Sequence, residues 1–178
     1  LTQVYKSLGV TPIISARGTT TASGGTKLRP EVIEVMAKAS RAMVDIPELN
    51  LAAGQVIAKI TGAEDGFVSG GASSGLVLQA AAVIAGSDPA RMAQLPNTTG
   101  LKNEIVIQNS HRFPYDQAYR VAGAKLVGVG SGKNCEPWQL EAAFNERTAA
   151  VAYLVSSFIS RRAMGLDQVC EIAHSHGL

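Results

Sequence analysis

Apolar positions along the chain fall into two spacings. Behind Pro30, a residue suited to the first position of a helix, Val32, Ile33, Val35 and Met36 recur at helical intervals. They predict an apolar helix face that runs on to Met43, and Pro47 is expected to break that segment. Leu49, Ala52, Ala53, Val56, Ile57 and Ile60 repeat the spacing and predict a second helix over 48–60, ended by Thr61-Gly62-Ala63-Glu64. Apolar cores within 104–108 and 124–129 predict strands instead, the continuous run over 149–155 predicts a buried one, and the shorter run Gly66-Phe67-Val68 predicts another. Further helices are expected over 74–85, 115–122, 136–145 and 166–176, the last stopped by Gly177.

Around these elements, 4–8 reads as a short amphipathic lead-in and 13–16 as an extended apolar piece. Residues 17–25 are too rich in glycine and threonine for a helix and read as a loop. Residues 87–103 hold Pro89, Pro96, Gly100 and few periodic apolars, and read as a long surface excursion. Strand and helix alternate, which implies an α/β fold with a mostly parallel sheet and helices on both faces. One domain over 1–178 is expected, with 1–62 as an N-terminal arm and helices, and no internal repeat interrupts it.

The organising stretch is Ser69-Gly70-Gly71-Ala72-Ser73-Ser74-Gly75, between the apolar run and a long alanine-rich helix. Three readings compete. Ser73 or Ser74 caps the helix and the glycines merely make the turn. Alternatively, Gly71-Ala72-Ser73-Ser74-Gly75 matches G-x-S-x-G, with Ser73 as a hydrolase nucleophile served by Asp167 and His174. Those two lie seven residues apart on one expected helix, a spacing that suits two helical turns better than a triad. The third reading is a phosphate cradle at a helix N-terminus, where unpaired N–H groups and the helix dipole favour an anion. No nucleotide P-loop motif is present.

Composition narrows the partners. Hydrophobic residues make up 46% and charged residues 17% of 178, which fits a globular chain with a real core. A net charge of +2 without a basic run, and 5% aromatics, make nucleic acid an unsuitable partner. Cys135 and Cys170 are isolated and read as reduced thiols of a cytoplasmic protein. No run reaches membrane-spanning length and no signal peptide opens the chain, so no membrane partner is expected. The first residue is leucine, so something upstream is expected to have been removed or not to be shown.

Open α/β sheets bind ligands beyond the carboxyl ends of their strands. Polar residues stand there in the Gly70 to Ser74 loop, at Asn109-Ser110-His111 and at Ser156-Ser157. His111 is either a ligand contact or an ordinary surface or N-capping histidine. His174 and His176 are two apart, off a common helix face, so no metal pair is expected. Arg17, beside Gly18 at the end of an extended run, suits an anionic substrate group or a solvated connector.

Taken together these residues resemble a family. Leu8-Gly9-Val10 with Pro12-Ile13-Ile14, then Ala16-Arg17-Gly18-Thr19, is similar to the opening of the selenocysteine synthase-like, pyridoxal-phosphate-dependent enzymes. The nearest branch includes D-glucosaminate-6-phosphate ammonia-lyase. The likeness continues through Asp45-Ile46-Pro47-Glu48-Leu49, Thr61-Gly62-Ala63-Glu64, Ser69-Gly70-Gly71-Ala72-Ser73-Ser74-Gly75-Leu76 and Asp88-Pro89. It also includes Leu95-Pro96-Asn97-Thr98, His111-Arg112 with Tyr115-Asp116, and Glu171-Ile172-Ala173-His174. It runs in collinear order along nearly the whole chain.

The resemblance implies the N-terminal part of the large domain of an aspartate aminotransferase-like fold, with pyridoxal 5'-phosphate as cofactor. By position, Gly71, Ala72 and Ser73 would donate to the cofactor phosphate, His111 would lie against the pyridine ring, and Ser156 would stand near the phenolic oxygen. Arg17 would meet a substrate carboxylate or phosphate. The family's ring-nitrogen aspartate and Schiff-base lysine have no counterpart here. Lys6, Lys27, Lys38, Lys59, Lys102, Lys125 and Lys133 all match other parts of the pattern, so this stretch is expected to be inactive alone. The implied activity is elimination of ammonia or water from an amino sugar acid phosphate or amino acid, by a homo-oligomer. The alternatives are a selenium transferase acting on seryl-tRNA and a non-catalytic remnant that keeps the fold for assembly or binding.

Overall fold

A computed structural model describes residues 3–156 and 163–178, in two compact units, Leu1–Phe67 and Val68–Leu178. Ser157, named above among the strand-end residues, lies outside the described residues.

The first unit holds helices α1 (Gln3–Ser7), α2 (Pro30–Ala39) and α3 (Ile46–Thr61). Pro30 opens α2 as its spacing predicts, but the helix stops well short of Met43. The Ser40 hydroxyl donates to the Ala37 carbonyl, and the N–H groups of Arg41 and Ala42 reach only three residues back. The last turn therefore tightens and ends. Pro47 breaks nothing. It sits in the first turn of α3, where its missing N–H costs no bond, and the Asp45 carboxylate caps the helix by accepting the Glu48 N–H at 2.8 Å.

Gly54 is the buried residue of α3, and the chain at Gly66 passes directly over it. A Cβ on Gly66 would sit 2.6 Å from that of Ile57, so the pair of glycines permits an approach no side chain could share. The predicted core faces of α2 and α3 are otherwise uncovered, with Val32, Ile33, Met36, Leu49, Val56 and Ile60 exposed. The predicted strand at Gly66-Phe67-Val68 does not form. Phe67 and Val68 are exposed and these residues join no sheet ladder, the only sheet among the described residues being built from strands farther along the chain.

The second unit is a parallel three-stranded sheet of β1 (Glu104–Gln108), β2 (Lys125–Val129) and β3 (Thr148–Ala152), in the order β2-β1-β3. Helices cover both faces, as the alternation of elements predicts. Ile105 points to one face and packs with Ala80 and Ile84 of α4 (Ala72–Ala85) and Tyr119 of α6 (Gln117–Val121). Val106 points to the other and packs with Leu140 of α7 (Pro137–Glu141) and Val169 and Ile172 of α8 (Leu166–Ser175). All five residues of β1 are buried.

Several boundaries differ from the predicted ones. The expected excursion over 87–103 contains α5 (Pro89–Gln94), because Asp88 caps it by accepting from the N–H groups of Ala90 and Arg91 and Pro89 stands in its first turn. The helix expected over 136–145 shortens to α7, which a reciprocal Glu136–Gln139 capping box starts and three-residue turns at Ala143 and Phe144 end. The strand expected to reach 155 stops at Ala152, opposite Ile107 of β1, and beyond it the Leu154 N–H turns to a side chain, His111 Nδ1, instead of the sheet ladder. Residues 114–116 form a 3-10 turn, so α6 starts two residues late.

Glu104 is a buried carboxylate at the start of β1. It accepts from Asn145 Nδ2 at 2.8 Å and Lys125 Nζ at 3.0 Å and pairs with Arg147 at 2.6 Å. The Asn145 and Lys125 hydrogen bonds, with the charge of Arg147, hold its pKa below the ordinary 4.5 against the opposing effect of burial. Because the folded value is depressed, its contribution to stability is complete above the ordinary value and is lost as pH falls through the folded one. Urea unfolding of the intact protein between neutral pH and the acid range should show this loss, and Glu104→Gln should flatten that part of the profile. A second expectation concerns Gly123, which has φ +93° and faces the Pro96 carbonyl so closely that a Cβ would collide with it. Gly123→Ala should lower unfolding free energy by about 1–3 kcal/mol. Gly132→Ala, with open space around it, should stay within about 0.5 kcal/mol by the same denaturation.

Candidate anion site at a helix N-terminus

Helix α4 begins without a side-chain cap. Its N-cap is Gly71, with φ 141° and ψ 175°, a conformation open in practice only to glycine. The Gly71 carbonyl accepts the Gly75 N–H at 2.9 Å, starting the helix, and also the Ser69 hydroxyl at 3.0 Å. Ser73 and Ser74 lie inside the first turn and cap nothing, so the capping reading of these serines is corrected. The N–H groups of Ala72, Ser73 and Ser74 have no intrahelical acceptor and present the positive end of the dipole.

Beside this turn lies an open groove of about 530 Å³, lined by Ser73, Ser74, Val77, Tyr115, Gln117 and Arg120 among others. The packing of α6 beside α4 brings Arg120 and Tyr115 there, which no local pattern announced. None of the lining residues is a histidine or a carboxylate. The hydrolase reading of Ser73 fails on the same ground. Asp167 and His174 both lie on α8, which packs on the sheet face opposite α4, and no strand leads into the turn. Uncapped first-turn N–H groups, next to a groove that holds two serines and an arginine and no acid, suit an anion such as a phosphate monoester.

The ends of the strands hold the other polar residues. After β1 the chain turns through a short 3-10 turn, Asn109–His111. Asn109 Nδ2 donates to the Gly130 carbonyl at 2.7 Å, tying the ends of β1 and β2. Gln108 exchanges two hydrogen bonds with Met164, 2.9 Å from its N–H and 3.2 Å to its carbonyl. This clamp is absent from the sequence reading. Its signal, a glutamine at a fully buried strand position, is visible only once burial is known.

His111 has no exposed surface, which excludes a surface or capping histidine. Its Nδ1 accepts the Leu154 N–H at 3.4 Å, and its ring meets Tyr153 edge-on at 4.4 Å between centroids. Burial lowers its pKa and keeps it neutral. Nε2 is buried with no partner among the described residues.

Ser156 lies half-buried in the segment that leaves β3. Arg17 belongs to the first unit, exposed at a bend where its N–H donates to Ser15 Oγ at 3.3 Å. Among the described residues no cluster of histidine, cysteine and carboxylate groups could hold a metal ion. His176 Nδ1 lies 2.9 Å from the Ile172 carbonyl. Burial, with Glu136 nearby, raises the Cys135 thiol pKa and disfavours the thiolate. No helix among the described residues is long and apolar enough to cross a membrane.

No family model matches the chain. It is 35% identical over 180 residues to D-glucosaminate-6-phosphate ammonia lyase of Salmonella typhimurium (strain 14028s / SGSC 2262), covering 98% of this chain and 49% of that protein. It is also 35% identical over 184 residues to 5'-C-glycyluridine monooxygenase-decarboxylase of Streptomyces sp, covering 99% and 46%. A solved structure of D-glucosaminate-6-phosphate ammonia-lyase superimposes with a TM-score of 0.94 at 35% identity, over 99% of this chain and 49% of that one. The chain spans about half the length of these relatives. Over that half it is a homologue of both enzymes and shares the α/β fold of the ammonia-lyase.

The cap geometry separates the serines from the glycine. Ser73→Ala and Ser74→Ala should each change unfolding free energy by less than about 0.5 kcal/mol. A loss of about 1 kcal/mol in either would make that serine the cap. Gly71→Ala should lose about 1–3 kcal/mol through its backbone alone. Thermal or urea denaturation of the three variants decides it.

Proposed function

We propose that this chain forms the cofactor-phosphate-binding part of a pyridoxal-phosphate-dependent lyase. Its substrate is an amino sugar acid phosphate or a related amino acid, from which ammonia or water is eliminated. The observation that carries the reading is the uncapped first turn of α4 behind Gly71, with Arg120 in the same groove. It stands in a chain 35% identical to an ammonia lyase over 98% of its own length.

The residues present fit the phosphate end of the cofactor. The N–H groups at Gly71, Ala72 and Ser73 donate to phosphate oxygens, and the charge of Arg120 favours the dianion. His111 and Ser156, both near strand ends, serve the ring, and Arg17 serves an anionic group of the substrate. When bound, pyridoxal phosphate supplies the electron sink for charge that develops at the substrate Cα. This chain's own part is to anchor and orient. None of its lysines lines the groove, so the role proposed for the groove is to hold the phosphate end alone. A cytoplasmic homo-oligomer completes the proposal, supported by the apolar faces that α2 and α3 leave uncovered.

Equal identity to the monooxygenase-decarboxylase favours a second reading, oxidative loss of carbon dioxide from a glycyl-type amino acid. The two separate by product. The intact protein should retain pyridoxal phosphate absorption through dialysis and gain a borohydride-fixed adduct by mass. With D-glucosaminate 6-phosphate it should release ammonia without consuming oxygen. Carbon dioxide release with oxygen uptake on a glycyl nucleoside would favour the second reading, and no retained absorption would sink both. Gly71→Ala should weaken cofactor binding about tenfold or more, a loss of about 1.4 kcal/mol.

A further inference from the structure

Buried polar groups at the strand ends of the second unit answer one another in a connected set. Gln108 and Met164 exchange hydrogen bonds, and the Met164 carbonyl also accepts the Tyr153 hydroxyl at 3.3 Å. The Tyr153 ring then fixes the imidazole of His111 edge-on, at an interplanar angle of 88°. The set stops at His111 Nε2, which meets neither protein nor solvent among the described residues.

We propose that His111 is locked as the neutral Nε2–H tautomer, and that this N–H is a positioning donor for an acceptor oxygen of the small molecule bound beyond the strands. The proposal rests on the functional reading above.

The tautomer follows from the hydrogen-bond pattern. The Leu154 N–H points at Nδ1, and two donors cannot share that contact, so Nδ1 carries the lone pair and Nε2 the proton. The ring has little freedom to escape this arrangement, since Tyr153 lies across it and is itself anchored on Met164. Buried N–H groups in folded proteins are almost always paired, so an unpaired one at the carboxyl end of a central parallel strand points to a missing acceptor.

A neutral imidazole suits the task, because it can donate to a phenolic or carboxylate oxygen without transferring its proton. The oxygen can come from the cofactor ring or from the substrate, two sources with one chemistry. His111 has no exposed surface, so an acceptor reaches Nε2 only when neighbouring side chains make room for it.

The test is two-bond proton–nitrogen NMR of the intact, histidine-labelled protein, recorded beside its absorption spectrum. The unliganded protein should show the His111 Nε2–H tautomer. Pyridoxal 5'-phosphate alone should shift the Nε2 resonance if the cofactor supplies the oxygen. A shift only after D-glucosaminate 6-phosphate is added would assign it to the substrate. An Nδ1–H tautomer, or an unmoved Nε2 resonance with cofactor bound by absorption and substrate present, would overturn the donor assignment alone. No bound cofactor by absorption would overturn the functional reading and the donor with it. In parallel, His111→Gln, which keeps a donor and an acceptor, should hold affinity for whichever molecule shifts Nε2 within about threefold, whereas His111→Phe should lose about tenfold for that molecule. Equal affinity of the Phe variant for that molecule would overturn the donor and reduce His111 to flat packing.

Discussion

A strand buried on both faces can carry polar side chains only where each finds a partner, and β1 does so at both ends. At its start the Glu104 carboxylate is answered by Asn145, Lys125 and Arg147, which come from the two neighbouring strand regions. Its cross-strand register places Lys125 directly opposite, so the ion pair also marks the correct pairing of β1 with β2. At its end Gln108 holds the chain at Met164, and Asn109 holds Gly130. The strand is pinned between two polar clusters, and the helices of both faces pack against what lies between.

Functional geometry depends on that pinning. The carboxyl end of β1 delivers His111 to the interior, and the clamp through Met164 brings Tyr153 against it. On the sheet face shared by α4 and α6, close packing of the two helices sets Arg120 and Tyr115 beside the open first turn of α4. Glycine decides the anion site in its own way. Gly71 adopts a backbone conformation that leaves the first-turn N–H groups outward and uncapped, whereas a serine cap would have consumed one of them.

Much of this was legible in the chain. Apolar runs at 104–108 and 124–129 located β1 and β2 nearly to the residue, and Pro30 marked the start of α2. The helix α5 is legible too in Asp88-Pro89, a cap and a first-turn proline, although Pro96 and Gly100 in the same stretch suit a loop. Pro47 misled for the related reason that proline both breaks a helix interior and opens a helix start, and only the Asp45 cap distinguishes the two. The apolar run at Gly66-Phe67-Val68 carries strand chemistry, yet among the described residues it enters no sheet ladder, and the three strands that do pair lie farther along the chain.

By itself the sequence determined the alternation of helix and strand, hence the layered α/β class, and the glycine-rich turn that leaves a helix start open. These are local matters, set by side-chain spacing over a few residues and by the backbone freedom of glycine. Only the tertiary structure decided which helices became neighbours. That choice put Arg120 into the groove, carried Asp167 and His174 to the far face, and sealed His111 with one nitrogen answered and the other not. Burial and partnership belong to residues distant in sequence, and spacing along the chain carries no record of them.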